Sequence, residues 1–137
     1  WDWFSLQLSD QTELMMFLLR KEDGTHHPAS SGTIVTDRGD VQHLAYRQFS
    51  IQVRQYWLSP ATRARYPSRW NIRIPALDLG LDVRSTVADQ EMQTQATTGV
   101  TYWEGSVTAT GTKQDHPITA KGYVEMTGYD REFDAPL

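Results

Sequence analysis

The densest chemical cluster in this sequence is Tyr102-Trp103-Glu104, an acid directly behind two aromatic side chains. A second acid, Asp2, stands between Trp1 and Trp3. Carboxyl groups beside π faces are the equipment for protonating a carbon–carbon double bond. A carboxyl in apolar surroundings keeps its proton to higher pH, and an aromatic face stabilises the cation that forms. Glu104 and Asp2 are therefore the candidate catalytic acids. The plainer alternative for each is a strand acid that pairs with a cross-strand arginine or lysine. Alternation points both away from their flanking tryptophans, toward solvent or a partner domain. The candidate ligand-binding side chains are Trp1, Trp3, Phe17, Trp57, Trp70, Tyr102 and Trp103. Five tryptophans in 137 residues is a high number, and they either line a pocket or fill a core. Core is the simpler reading for Trp57 and Trp70. Trp1 and Trp3 share a face with Ser5 and Gln7, which suits a pocket or a domain interface.

Other chemistries find little support. His26-His27 is a tandem pair in a polar loop, and adjacent histidines do not converge well on one metal. His43 and His116 are isolated, and the chain has no cysteine, so neither a metal centre nor a disulfide framework is expected. No G-x-S-x-G, H-E-x-x-H or glycine-rich phosphate loop occurs, and no cofactor is expected. A net charge of -4 argues against nucleic acid as a partner. Arg54, Arg63, Arg65, Arg69 and Arg73 concentrate positive charge in one third of the chain, where solvated strand faces and a loop account for them. No run of eighteen apolar residues exists, so no membrane-spanning helix is expected. The chain opens at Trp1 in mid-strand pattern, which reads as a piece of a longer protein.

The elements that would position these residues are strands. Thr98 to Gly111 alternates Trp103, Gly105, Val107 and Ala109 against Tyr102, Glu104, Ser106 and Thr108, and the first set belongs on the buried face. A polar turn over 112–117 leads to a second strand, Ile118 to Thr127, to form a long hairpin. Trp1 to Leu8 sets Phe4, Leu6 and Leu8 against Trp1, Trp3, Ser5 and Gln7. Thr12 to Lys21 reads as its buried hairpin partner. Gly32 to Thr36, Val41 to Leu44, Phe49 to Leu58, Tyr66 to Ile74 and Leu77 to Val83 complete the strands. Residues 88–98 have room for a helical turn, and Tyr129 to Leu137 is a tail. Val53, Ile51, Ile72, Ile74, Trp103 and Val107 are expected to be buried. Eight to ten short strands joined by short turns imply one domain over 1–137, with antiparallel neighbours closing into an up-and-down barrel. A barrel of about eight strands can hold one small ligand. A β-sandwich is the alternative.

Five segments carry a family resemblance: WDWFSLQL, TELMMFLLR, SPATRARYPSRWNIRIP, TGVTYWEGSV and KGYVEMTGY. In this order the chain resembles the carotenoid 1,2-hydratase/AttH-like proteins, a lipocalin-type family, over nearly its whole length. The resemblance implies a lipocalin-like (calycin) barrel, here the C-terminal one of two such domains, with the N-terminal domain as partner. It also implies a hydrophobic small-molecule site shared between the domains, with an isoprenoid or lipid-like ligand, and a periplasmic or secreted location. Some relatives carry a secreted-hydrolase label. One branch hydrates carotenoid double bonds, with an acid near the second strand as proton donor. Here no acid occurs between Glu13 and Glu22. Related fungal members guide cyclisations in a pocket formed with the other domain. The expectation is thus a domain that binds or helps to enclose a hydrophobic molecule, and any reaction would be hydratase-like. The alternatives are a structural domain packed on its partner barrel, and a carbohydrate-binding module stacking Trp1 and Trp3 on sugar rings.

Overall fold

The computed structural model describes residues 1–94 and 99–130. Among them are ten strands: β1 Asp2–Leu8, β2 Glu13–Leu18, β3 Ser31–Val35, β4 Val41–Ala45, β5 Ser50–Leu58, β6 Arg65–Ile74, β7 Leu79–Ser85, β8 Glu91–Gln93, β9 Thr101–Lys113 and β10 His116–Thr127. They form one antiparallel sheet in the order β4-β3-β2-β1-β10-β9-β7-β6-β5, with β8 also on β9. Each strand thus lies beside its neighbour in sequence, and β10 returns to pair with β1. The exceptions are β7 and β8, which each pair with β9 and not with one another, and β4 and β5, which end the ladder on opposite sides yet are joined only by the 3-10 turn Tyr46–Gln48 and Phe49.

That connection dictates the shape. Laid flat, nine strands at about 4.8 Å spacing would hold β4 and β5 about 38 Å apart. The link from Ala45 to Ser50 reaches about 18 Å at full extension. The sheet must therefore curl until its two ends approach. The result is an antiparallel, up-and-down half-barrel of the lipocalin-like type, with the chain crossing its open seam. Phe49 is buried at that crossing.

The inner face carries the core: Phe4, Leu6 and Leu8 of β1, Leu14 and Met16 of β2, Trp70, Ile72 and Ile74 of β6, and Trp103 and Val107 of β9 are all buried. Phe4 meets Trp70 edge to face, with ring centroids 5.6 Å apart. Since β10, β9 and β7 separate their strands in the ladder, this contact crosses the interior. Side chains, not a void, occupy the space between them. The Trp103 indole N–H donates to the Ala88 carbonyl at 2.8 Å, so its polar atom is paired as burial requires.

β7 and β8 together flank β9, and the loop between them folds the Gln90 side chain over Gly105. A Cβ on Gly105 would stand 2.2 Å from the Gln90 Cδ. In that position Gln90 accepts a hydrogen bond from the Ser106 backbone N–H at 3.0 Å and donates to the Val87 carbonyl at 2.7 Å. A side chain replaces the missing ladder rung, and only glycine leaves it room.

Several expectations need correcting. Val53 is 36% exposed and Ile51 only half-buried. β5 is the last strand of the sheet, and its register shifts between Val53 and Tyr56, so alternation there no longer reports burial. Asp2 is 5% exposed and faces the core. It does point away from Trp1 and Trp3, but that side is the interior and not solvent. Within 88–98, Glu91–Gln93 is a strand and not a helical turn, and residues 95–98 lie outside the described residues. The 112–117 turn contracts to Gln114 and Asp115, both left-handed (φ 50° and 60°), as a tight two-residue hairpin requires. Leu77 belongs to the 3-10 turn Pro75–Leu77 that precedes β7. Of the tail, residues 131–137 lie outside the described residues.

Candidate functional site

The sheet divides the residues singled out by chemistry between its two faces. Trp70 and Trp103 are buried inside, Trp57 half-buried, and Asp2 lies on the same side. Trp1, Trp3, Phe17, Tyr102 and Glu104 lie on the outer face. They do not form one constellation.

The outer group is set by strand register. Phe17 pairs with Trp3, Trp3 with Glu125, and Glu125 with Glu104, which makes one row across β2, β1, β10 and β9. Trp1 leans on Phe17 with ring centroids 5.5 Å apart and planes tilted by 39°. Its backbone carbonyl accepts from the Thr127 N–H at 3.0 Å, so odd-numbered residues of β1 hydrogen-bond toward β10. Trp3 and Phe17 therefore form the non-hydrogen-bonded kind of pair, in which side chains stand closer. Met15 and Tyr123 extend the apolar surface one row along, and Met92 extends it beside Tyr102. Trp1, Met15, Tyr123 and Met92 are 39–45% exposed, while Trp3, Phe17 and Tyr102 are half-buried. A contiguous apolar surface of this kind is of the order of a few hundred Å², the size that marks a binding region.

Glu104 and Glu125 face each other within this surface. The Glu104 N–H donates to the Gln90 carbonyl at 3.1 Å, away from β10, so this pair is also of the closer kind. Burial, and then the Glu104 charge, push the Glu125 carboxyl above its ordinary range. Glu125 is absent from the sequence reading, although counting back from the hairpin turn places it opposite Glu104.

Inside, Asp2 closes one end of the half-barrel. The Tyr129 hydroxyl donates to its Oδ2 at 3.0 Å, and Arg20 Nε stands 3.4 Å from its Oδ1. The Arg20 guanidinium lies over the Tyr129 ring, 3.7 Å from its centroid, and donates to the Thr127 carbonyl. Tyr129 packs on Tyr66, and Tyr66 stacks on Trp57. Burial raises the Asp2 carboxyl above its ordinary range, partly offset by Arg20 and by the Tyr129 hydrogen bond. Burial likewise raises the Tyr66 and Tyr129 hydroxyls. Arg20, Tyr66 and Tyr129 are also missing from the sequence reading. Tyr129 opens the segment read as a tail, and Arg20 stands near the end of the apolar strand run Thr12 to Lys21.

Elsewhere, the His26 ring lies edge-on to Tyr46, with Nδ1 3.4 Å from its hydroxyl, and His27 Nδ1 accepts from the Ala29 N–H. Among the described residues no three His, Cys, Asp or Glu side chains come together as metal ligands. No helix of the described residues is long and apolar enough to cross a membrane. An open polar cleft of about 520 Å³ lies over Gly80, lined by Asn71, Arg73, Asp82 and Thr110. It adjoins none of the aromatic candidates.

Comparison with known proteins agrees with this architecture. The AttH-like family model matches residues 1–129. The crystal structure of an AttH-type protein from Nitrosomonas europaea superposes with a TM-score of 0.80 at 30% identity, over 94% of this chain and 38% of that one. Kievitone hydratase from Nectria haematococca shares the fold, with a TM-score of 0.75 at 21% identity, over 96% of this chain and 39% of that one. A search of the curated proteins finds no match. The chain spans about two fifths of the length of these solved neighbours. With a family match over nearly its whole length and the curled antiparallel sheet of its solved neighbours, the chain belongs to the AttH-like family.

Proposed function

We propose that the outer face of this half-barrel is one wall of a binding site for a hydrophobic small molecule, isoprenoid or lipid-like, whose other wall comes from a second domain. One observation carries this reading. The interior is filled by side chains that meet across it, as Phe4 and Trp70 do, while Trp1 is exposed and Trp3, Phe17 and Tyr102 are only half-buried on the opposite side. Apolar ligands bind where aromatic surface is already assembled and unpaired. The solved neighbours, more than twice as long, provide room for a further domain.

Asp2 supports the wall from behind. Its ion pair with Arg20 and the hydrogen bond it accepts from Tyr129 tie down the start of β1 from the inner side, with Trp1 and Trp3 on the other face. A titration of tryptophan fluorescence with a fatty acid, a carotenoid and an oligosaccharide tests the reading. Saturable binding of an apolar probe, weakened about tenfold or more by Trp1→Ala with Trp3→Ala, is the expected result, because each buried aromatic contact is worth about 1–3 kcal/mol. Affinity that is unchanged in the folded double variant would overturn it, and preferential binding of the oligosaccharide would replace it with a sugar-binding role.

A further inference from the structure

On the reading that the Trp1–Trp3–Phe17 surface is one wall of a site, we propose that the second wall is a protein surface that presents a lysine or arginine among apolar side chains, and that this cation docks between Glu104 and Glu125. The apolar part of the face explains why something covers it. The acidic pair narrows down what does.

Like charges directly opposite on neighbouring strands destabilise a sheet. Here they are also held in the closer of the two antiparallel pair geometries. Among the described residues no lysine, arginine or histidine forms an ion pair with either carboxylate. Two other acids of the sheet do have cations beside them: Asp82 lies between Arg69 and Arg84, at 2.6 and 2.9 Å, and the buried Asp2 is beside Arg20. The nearest cation along β10, Lys121, pairs with Thr108, two outward positions below Glu104. A purely apolar partner would strip water from two facing carboxylates and leave them uncompensated, at high cost. A partner with a cation at that point neutralises both, and the mutual repulsion in the free chain becomes attraction in the complex. Burial, and after it the Glu104 charge, raise the Glu125 carboxyl. The arrangement also gives specificity, since a partner with a carboxylate at that point is rejected.

The test uses a blocked ten-residue peptide of alternating leucine and threonine with one central lysine, and the same peptide with glutamine or glutamate in its place. Binding to the intact chain is read by anisotropy of a terminal label. The expected order is lysine tightest, glutamine about tenfold weaker, and glutamate weakest, with lysine preference lost in Glu104→Gln with Glu125→Gln. Those substitutions remove repulsion, so the variant folds, and urea unfolding verifies this. Equal affinity for lysine and glutamine peptides, a preference that survives the double substitution, or no binding of any peptide would overturn the inference. So would concentration-dependent dimerisation through this face, which would make a second copy its occupant. A chain that takes up the fatty acid or the carotenoid but shows no lysine preference loses this inference alone. A chain that takes up no apolar probe loses the wall itself.

Discussion

Replacing Arg20 by alanine should destabilise the protein by an amount that depends on pH. Asp2 is 5% exposed, and Arg20 is the cation beside it, 3.4 Å away. Removing one partner of a buried pair leaves an uncompensated charge, a loss of about 3–5 kcal/mol. For a domain of this size, that lowers the melting temperature by about 10–15 °C. The sign of the pH dependence follows from linkage. Burial already holds the folded-state carboxyl above its ordinary 3.8, and losing Arg20 raises it further. Over the window from 3.8 up to the raised value the folded chain binds more protons than the unfolded chain, so stability falls as pH rises through it. The variant should therefore lie closest to the parent near pH 4 and furthest from it near pH 8. Urea unfolding across that range measures this directly. Asp2→Asn in the same background should recover part of the loss at pH 8 and flatten the profile. A penalty equal at all pH values, unaltered by Asp2→Asn, would show that Arg20 acts through packing on Tyr129 and not through Asp2.

Two further substitutions test other parts of the structure. Gly105→Ala should cost about 1–3 kcal/mol in urea unfolding, since its Cβ would displace the Gln90 amide that replaces a ladder rung. Adding Gln90→Ala should relieve the clash but not restore the lost hydrogen bond, and an unchanged midpoint for Gly105→Ala alone would contradict the geometry. Glu104→Gln should stabilise the free chain by about 0.2–1 kcal/mol and let the Glu125 carboxyl fall back toward its ordinary range. Carboxyl-carbon NMR titration of Glu125 reads this shift, and an unmoved Glu125 would mean that the two carboxylates do not interact.

Much of the fold was legible because the sheet is regular. Where a strand has neighbours on both sides, as with Trp103, Val107, Ile72 and Ile74, period-two alternation gave the buried face. It failed at Val53, where an edge strand with a shifted register has no second neighbour to bury it. The site was legible by residue type but not by arrangement. Alternation separates Asp2 from Trp1 and Trp3 and puts it in phase with Phe4, Leu6 and Leu8, the buried set of β1, but a charged side chain is not expected in that set unless its distant partners are known. Arg20 and Tyr129 reach Asp2 across 18 and 127 positions of sequence, contacts that no local pattern encodes. Glu125 opposite Glu104 was within reach of the sequence once the hairpin turn had been centred on Gln114 and Asp115.

The central claim, that a hydrophobic ligand lies on the outer face and not inside the half-barrel, is tested most directly by short-range quenching with a dibrominated fatty acid. Bromine quenches only those indoles it nearly touches. Trp1 and Trp3 face outward, and Trp70 and Trp103 are 1% exposed inside. In the parent chain the acid should quench a saturable part of the fluorescence. That part should vanish in Trp1→Phe with Trp3→Phe and persist in Trp57→Phe with Trp70→Phe. Quenching that survives loss of the two outer indoles and disappears with the inner ones would put the ligand inside and contradict the account.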